Sequence, residues 1–199
     1  GSIGKKFPSV DVKIYEPDEE GVGELLVKGP NVMLGYYNNE EATKNAIDPD
    51  GWFHTGDLAK IDKDGFIFIT GRKKNVIVLQ NGKNIYPEEL EILINKVEGI
   101  KESMIYGMPE DGDLTISAKV VYDKNDMKEL YQLDSEEKIE ALINDEIKKI
   151  NKTMPAYKYI RNVIVTEEEL IKTTTLKIKR HEENKKVLKL IMLKLMKMV

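Results

Sequence analysis

The stretch from Asn75 to Glu91, "NVIVLQNGKNIYPEELE", constrains the fold more than any other part of the chain. Two short apolar runs flank Asn81-Gly82, the strongest short-range signal for a β-hairpin. Pro87 then stands where a helix begins, with Glu88 and Glu89 in a first turn that the helix dipole favours, and the pattern predicts a helix through about Val97. Downstream, "ESMIYGM" and "TISAKVVY" read as strands. "DSEEKIEALINDEIKKIN" reads as an amphipathic helix carrying Ile139, Leu142, Ile143, Ile147 and Ile150 on one face, opened by Asp134 with Glu137 three residues on. A last strand, "RNVIVT", leads through a polar segment to a terminal helix, which makes an α+β unit.

Upstream of Gly71 the pattern is rich in strands and turns. "VDVKIY" and "GELLVKG" alternate with the period of half-buried strands around a loop, "EPDEEGVG". "NNEEATKNAI" suits a short helix capped by Asn39, and turns at Asp50-Gly51 and Asp64-Gly65 precede the strand "FIFIT". The 199 residues, 41% of them apolar, therefore divide into residues 1–72, the end of a β-rich domain, and residues 73–199, a small α+β domain. No Gly/Ser/Pro linker joins them, so the short joint between Gly71 and Lys74 is expected to act as a hinge.

Charge and composition exclude several classes of function. A net charge of −4 with 31 basic and 35 acidic residues intermixed gives no general attraction to nucleic acid, so any anion site must be local. The absence of cysteine removes disulfide and thiolate chemistry and suits a reducing cytosol. His54 and His181 are too few and too far apart for a histidine metal site, and no metal-binding residues are expected. The terminal helix is amphipathic, with Val187, Leu188, Ile191, Leu195 and Met198 on one face; that face either packs on the protein or contacts a membrane surface.

Four places could carry chemistry. Asp57, in "WFHTGDLA", is expected in an exposed turn, where an ionised carboxylate can accept two hydrogen bonds, as a vicinal diol requires. Arg72, at a strand end, presents a planar fork for a phosphate or ribose oxygen. Lys73 and Lys74 follow it, and Lys177 follows a threonine-rich turn in "TTTLKIKR". Taken singly, each also fits an ordinary surface residue.

Their order is more informative. "GELLVKGPNVMLGYYNNEEAT", "GWFHTGDLA", "GFIFITGRKKNVIVLQNGKNIYPEELE" and "LIKTTTLKIKR" resemble, in that sequence, the later motifs of the adenylate-forming superfamily of acyl-CoA synthetases, luciferases and peptide-synthetase adenylation domains. "GRKKN" and "NGKNIYPEELE" look most like long-chain fatty acyl-CoA synthetases. The resemblance implies an enzyme that joins a fatty acid to AMP from ATP and then transfers the acyl group to CoA. It implies that Asp57 and Arg72 bind the nucleotide, that Lys74 is the hinge, that Lys177 is the catalytic lysine of adenylation and that the loop at Gly82 lines the CoA tunnel. Lys73 is then left solvated.

The chain departs from that pattern at two places in its last motif: Ile171 stands where proline is usual, and Leu176 where glycine is usual. Leucine tolerates positive φ poorly, so the turn is expected to be stiffer than the glycine version. The superfamily's Ser/Thr/Gly-rich phosphate loop and its Tyr-Gly-x-Thr-Glu magnesium segment are not in the sequence. The resemblance thus implies a C-terminal portion, inactive alone, whose partner is the N-terminal domain of the same enzyme. An adenylating domain for amino or aryl acids that serves a carrier protein, and a non-catalytic nucleotide-binding relic, are the alternatives.

Overall fold

A computed structural model describes residues 1–110 and 112–196, the last six of them by backbone alone. It divides into two compact units, Gly1–Val76 and Ile77–Val199. The division falls after Lys73–Asn75, which form a single 3₁₀ turn, rather than after Arg72.

The first unit is an antiparallel sheet. Its elements are β1 (Gly4–Lys5), β2 (Asp11–Tyr15), β3 (Gly23–Lys28), α1 (Glu40–Ala46), β4 (Phe53–Ile61) and β5 (Phe66–Arg72), with strand order β1-β5-β4-β3-β2. Leu25, Ala59 and Ile67 are buried on one face, with Val12, Ile14, Val27 and Ile61 packed around them. Helix α1 starts where Asn39 Oδ1 accepts the amide of Ala42, which satisfies a donor that has no partner within the helix.

The second unit begins with the hairpin β6 (Ile77–Val78) and β7 (Asn84–Ile85) and continues through α2 (Pro87–Ile94), β8 (Ile100–Glu110), β9 (Asp113–Tyr122), α3 (Lys124–Tyr131), α4 (Glu136–Asn151), β10 (Asn162–Thr166) and α5 (Arg180–Met196). β9 lies between β8, antiparallel to it, and β10, parallel to it. Alternation along these strands gives the sheet two apolar faces. Ile105, Ile116, Ala118, Val120 and Tyr122 join Leu90, Ile94, Ile139, Ile143 and Ile147 in one core, while Met104, Tyr106 and Val121 join Leu170 and Val187 in another. Each isoleucine that α4 buries contributes roughly 2 kcal/mol, more than the intrinsic helix preference of its residues.

Several local expectations need correction. The turn at Asn81-Gly82 is not centred on that pair: Gly82 N–H donates to Leu79 O and Leu79 N–H to Lys83 O, so Gln80 and Asn81 form the turn and Gly82, at φ +77°, follows it. Helix α2 stops at Ile94 instead of Val97, its end tightened by the Val97 N–H bond to Ile94 O. Ser135 rather than Asp134 is the N-cap of α4, and Asp134 pairs with Lys138 at 3.7 Å. Helix α3 was not anticipated; Asp123 caps it by accepting the amides of Asn125 and Asp126, and Met127 is its buried anchor. Along α5, Val187 is buried but Leu188 is 46% exposed, so they do not share one buried face. The side chains of Ile191 and Leu195, and the whole of Met198, lie outside the described residues. No helix among the described residues is long and apolar enough to cross a membrane.

Candidate functional site

Five described turns have the same pair of backbone bonds, from the first N–H to the fifth C=O and from the fourth N–H to the first C=O: those starting at Asp18, Asp48, Asp62, Leu79 and Thr173. The fourth residue must then adopt a left-handed conformation. Glycine does so at Gly21, Gly51, Gly65 and Gly82, and Leu176 does so in the fifth, at φ +60°. The loop therefore keeps the shape that glycine would allow, with leucine carrying the strain. Lys177 leaves that turn exposed, and its N–H is held by Thr173 Oγ1.

In the first unit Asp57 is not in an exposed turn. It belongs to β4, at a bulge where Thr55, Gly56 and Asp57 face the single residue Leu25 of β3. Gly56 takes φ +70° there, and the two amides thrown out of the ladder are both satisfied by side chains: Gly56 N–H donates to Glu24 Oε1 at 3.1 Å, and Asp57 N–H to Thr55 Oγ1 at 3.1 Å. Gly56 and Asp57 interrupt the alternation of the sequence, and this is why β4 reads as turns.

Across the ladder from Asp57 lies Arg72, whose Nε is 2.8 Å from Asp57 Oδ1. The arginine is 48% and the aspartate 30% exposed, so both reach solvent. Among the described residues nothing else pairs with the second carboxylate oxygen or the terminal guanidinium nitrogens, which fits a group offering a diol and an anionic oxygen.

Glu24 was not singled out from the sequence. It is 5% exposed, and its carboxylate accepts from His54 Nδ1 at 3.0 Å and Lys73 Nζ at 2.9 Å besides Gly56 N–H. Burial works against its charge, but the bonds from His54 and Lys73 more than offset it and hold the carboxyl below its ordinary range. Lys73 is solvated as expected, its side chain 57% exposed, and is also tied to Glu24, a bond that raises its own pKa. "GELL" gives no local hint of this, because its partners lie 30 to 49 residues away.

Lys74 is exposed within the 3₁₀ turn Lys73–Asn75, and Gly82 is exposed beyond the first hairpin turn. In the second unit, Arg180 at the start of α5 forms a fork with Glu91, Nη1 to Oε1 at 2.8 Å and Nη2 to Oε2 at 2.6 Å, and Glu91 Oε1 also accepts Ile105 N–H. Burial opposes the arginine charge, yet Glu91 and Glu88 raise its pKa overall. The structure thus brings Asp57 and Arg72 into contact. Lys74 belongs to the same unit, and Lys177 and Gly82 to the second.

Comparison with known proteins gives a consistent result. A long-chain-fatty-acid–CoA ligase of Bacillus subtilis is 40% identical over 143 residues, 68% of this chain and 25% of its own length. A relative named ACSBG2, a long-chain-fatty-acid–CoA ligase of Gallus gallus, is 49% identical over 90 residues, 45% of this chain and 12% of its own length. The chain therefore spans at most about a quarter of these relatives. Among solved structures, o-succinylbenzoate CoA synthetase from Bacillus subtilis, in complex with its acyl-adenylate intermediate, matches with a TM-score of 0.73 and 29% identity over 91% of this chain and 35% of its own. ATP-bound MatB from Rhodopseudomonas palustris matches at 0.74 and 28%, over 94% and 35%. The family model described as "AMP-binding enzyme C-terminal domain" covers residues 74–192, more than half of the chain. The chain accordingly belongs to the AMP-binding enzymes and contains their C-terminal domain.

Proposed function

We propose that this chain works as the carboxy-terminal part of an AMP-forming acyl-CoA ligase whose acid is a long-chain fatty acid. The observation that carries the reading is the cross-strand pair Asp57–Arg72, an accessible carboxylate and guanidinium held at 2.8 Å on a shaped bulge. Asp57 would accept both ribose hydroxyls of the nucleotide, and Arg72 would orient the carboxylate and reach the same ligand. Lys177, where the chain leaves an exposed turn, would place its ammonium against the charge that develops when a carboxylate oxygen attacks the α-phosphorus and pyrophosphate leaves. One preorganised contact of this kind is worth about 3 kcal/mol of barrier.

A rotation at Lys74 would then withdraw Lys177 and bring the Gly82 loop to face the thiol of CoA, which attacks the acyl carbonyl and releases AMP. ATP, CoA and the acid are substrates. Magnesium accompanies the ATP, and its protein ligand is not among the motifs of this chain. The reducing cytosol is the compartment that a cysteine-free chain suits.

The fatty acid is inferred from the 40% and 49% identical ligases. A second reading, an aryl acid, is favoured by a 2-succinylbenzoate–CoA ligase of Listeria monocytogenes that is 39% identical over 132 residues. The test uses the enzyme that carries this chain together with its phosphate-binding segments. Pyrophosphate release should depend on palmitate and not on 2-succinylbenzoate, and Lys177→Ala should abolish it. Release from Lys177→Ala at the native rate would remove the lysine from the mechanism.

A further inference from the structure

Lys177 is the last residue of the turn of a small hairpin whose arms meet at Ile171 and Lys179, where Lys179 N–H donates to Ile171 O at 2.8 Å. Both arms are fastened to one residue. Glu183, in the first turn of α5, donates its backbone N–H to Lys179 O at 3.1 Å, and its Oε1 accepts the N–H of Ile171 at 2.7 Å. The other oxygen, Oε2, accepts from Lys119 Nζ on β9 at 2.8 Å. Glu183 is 0% and Lys119 5% exposed.

A buried pair of this kind is a weak source of stability, since apolar residues of similar volume often serve the fold equally well. What an apolar pair could not do is accept the amide of Ile171. That amide exists because isoleucine occupies a position where the resembling motif has proline, which has no N–H. Proline would stiffen this arm through its fixed φ, whereas here a buried carboxylate does so by a hydrogen bond.

We propose that Glu183, seated on Lys119, is a positioning residue that sets the root of the Lys177 hairpin for the adenylation step. The proposal rests on the reading of Lys177 given above. A small tilt at Ile171 is carried along the hairpin to Lys177, and misplacement of about 1 Å at a reacting group lowers rates by as much as a hundredfold.

Two double variants of the ligase carrying this chain separate positioning from stability. Lys119→Gln/Glu183→Gln removes both charges but keeps an acceptor for Ile171 N–H; Lys119→Met/Glu183→Met removes both charges and the acceptor. The glutamine pair should retain acid-dependent pyrophosphate release within about threefold, and the methionine pair should lose about tenfold or more, while thioester formation from supplied acyl-adenylate stays within about threefold in both. Equal adenylation by the two variants, or parallel loss of both half-reactions, overturns the proposal. Amide hydrogen exchange of this chain is an independent check if the methionine pair does not fold: Ile171 N–H should be protected at least about a hundredfold, and free exchange overturns the proposal. If Lys177→Ala leaves adenylation intact, the reading of Lys177 fails while Ile171 protection stands; if it abolishes adenylation and the methionine pair does not lower it, the positioning role alone fails.

Discussion

Arg72 and Asp57 are opposite neighbours on β5 and β4, and the guanidinium Nε approaches the carboxylate at 2.8 Å. Both are open enough to solvent that the pair contributes less than about 1 kcal/mol to stability. Their arrangement matters for what they can bind.

If the proposed ligase reading is right, Asp57→Asn in the enzyme that carries this chain is expected to raise the KM for ATP about tenfold or more, because charge-assisted bonds to a diol are worth about 1.5–3 kcal/mol. The melting temperature of this chain should barely change. Steady-state kinetics beside a thermal melt check both halves, and an unchanged KM would remove Asp57 from the nucleotide site.

Leu176 carries the one non-glycine left-handed conformation in the set of five matching turns. Leu176→Gly should stabilise the chain by up to about 1 kcal/mol, as strain is relieved and partly offset by greater freedom of the unfolded chain. Leu176→Val should be destabilising, since a β-branched residue fits this region worst. Gly82→Ala should cost about 1 kcal/mol for the same backbone reason, because a Cβ there would meet nothing within 4 Å. Urea denaturation of the four proteins gives the order directly.

Arg180 is a different kind of arginine. Its fork grips Glu91 with little exposure on either side, and Glu91 also caps the Ile105 amide. Arg180→Ala should cost about 3 kcal/mol by leaving that carboxylate buried and unpaired, and Arg180→Lys should recover only part of it, lacking the planar fork. Equal stability of the lysine variant and the native chain would refute the bidentate account.

Glu24 should shape the acid limb of stability. Its carboxyl is held below the ordinary value of 4.5, so its contribution is complete above that pH and is lost as pH falls through the lower folded value. Lys73 behaves oppositely: its contribution is present below 10.5 and is lost as pH rises through its raised folded value. Glu24→Gln should flatten the acid limb in a pH series of urea midpoints. An unaltered limb would mean that other carboxylates control it.

What the sequence made legible followed from short-range rules. Asn39 capping α1, Pro87 opening α2 and the isoleucine stripe of α4 are each decided within a few residues. Asp57 was legible as a residue but not in its setting, because a bulge stabilised by Glu24 and Thr55 looks in sequence like a broken strand. The bond from the exposed Lys73 to Glu24 was hidden for the same reason, since the two are 49 residues apart. Helix α3 depends on the Asp123 cap and one buried methionine, too little periodicity to stand out. The bond between Glu183 and Ile171 was visible only as an unexplained departure from proline.

The threonine-rich turn before Lys177 is exposed, but its arms end on charges that face inward. Glu102 receives Leu170 N–H at 2.9 Å and Lys172 Nζ at 2.9 Å, Glu183 receives Ile171 N–H, and Glu91 receives Arg180. A segment rooted in this way has a surface sequence and an interior's tolerance for change. Insertions between Thr173 and Lys177 would leave the sheet intact, while single substitutions at its roots would be felt across β8, β9 and α2.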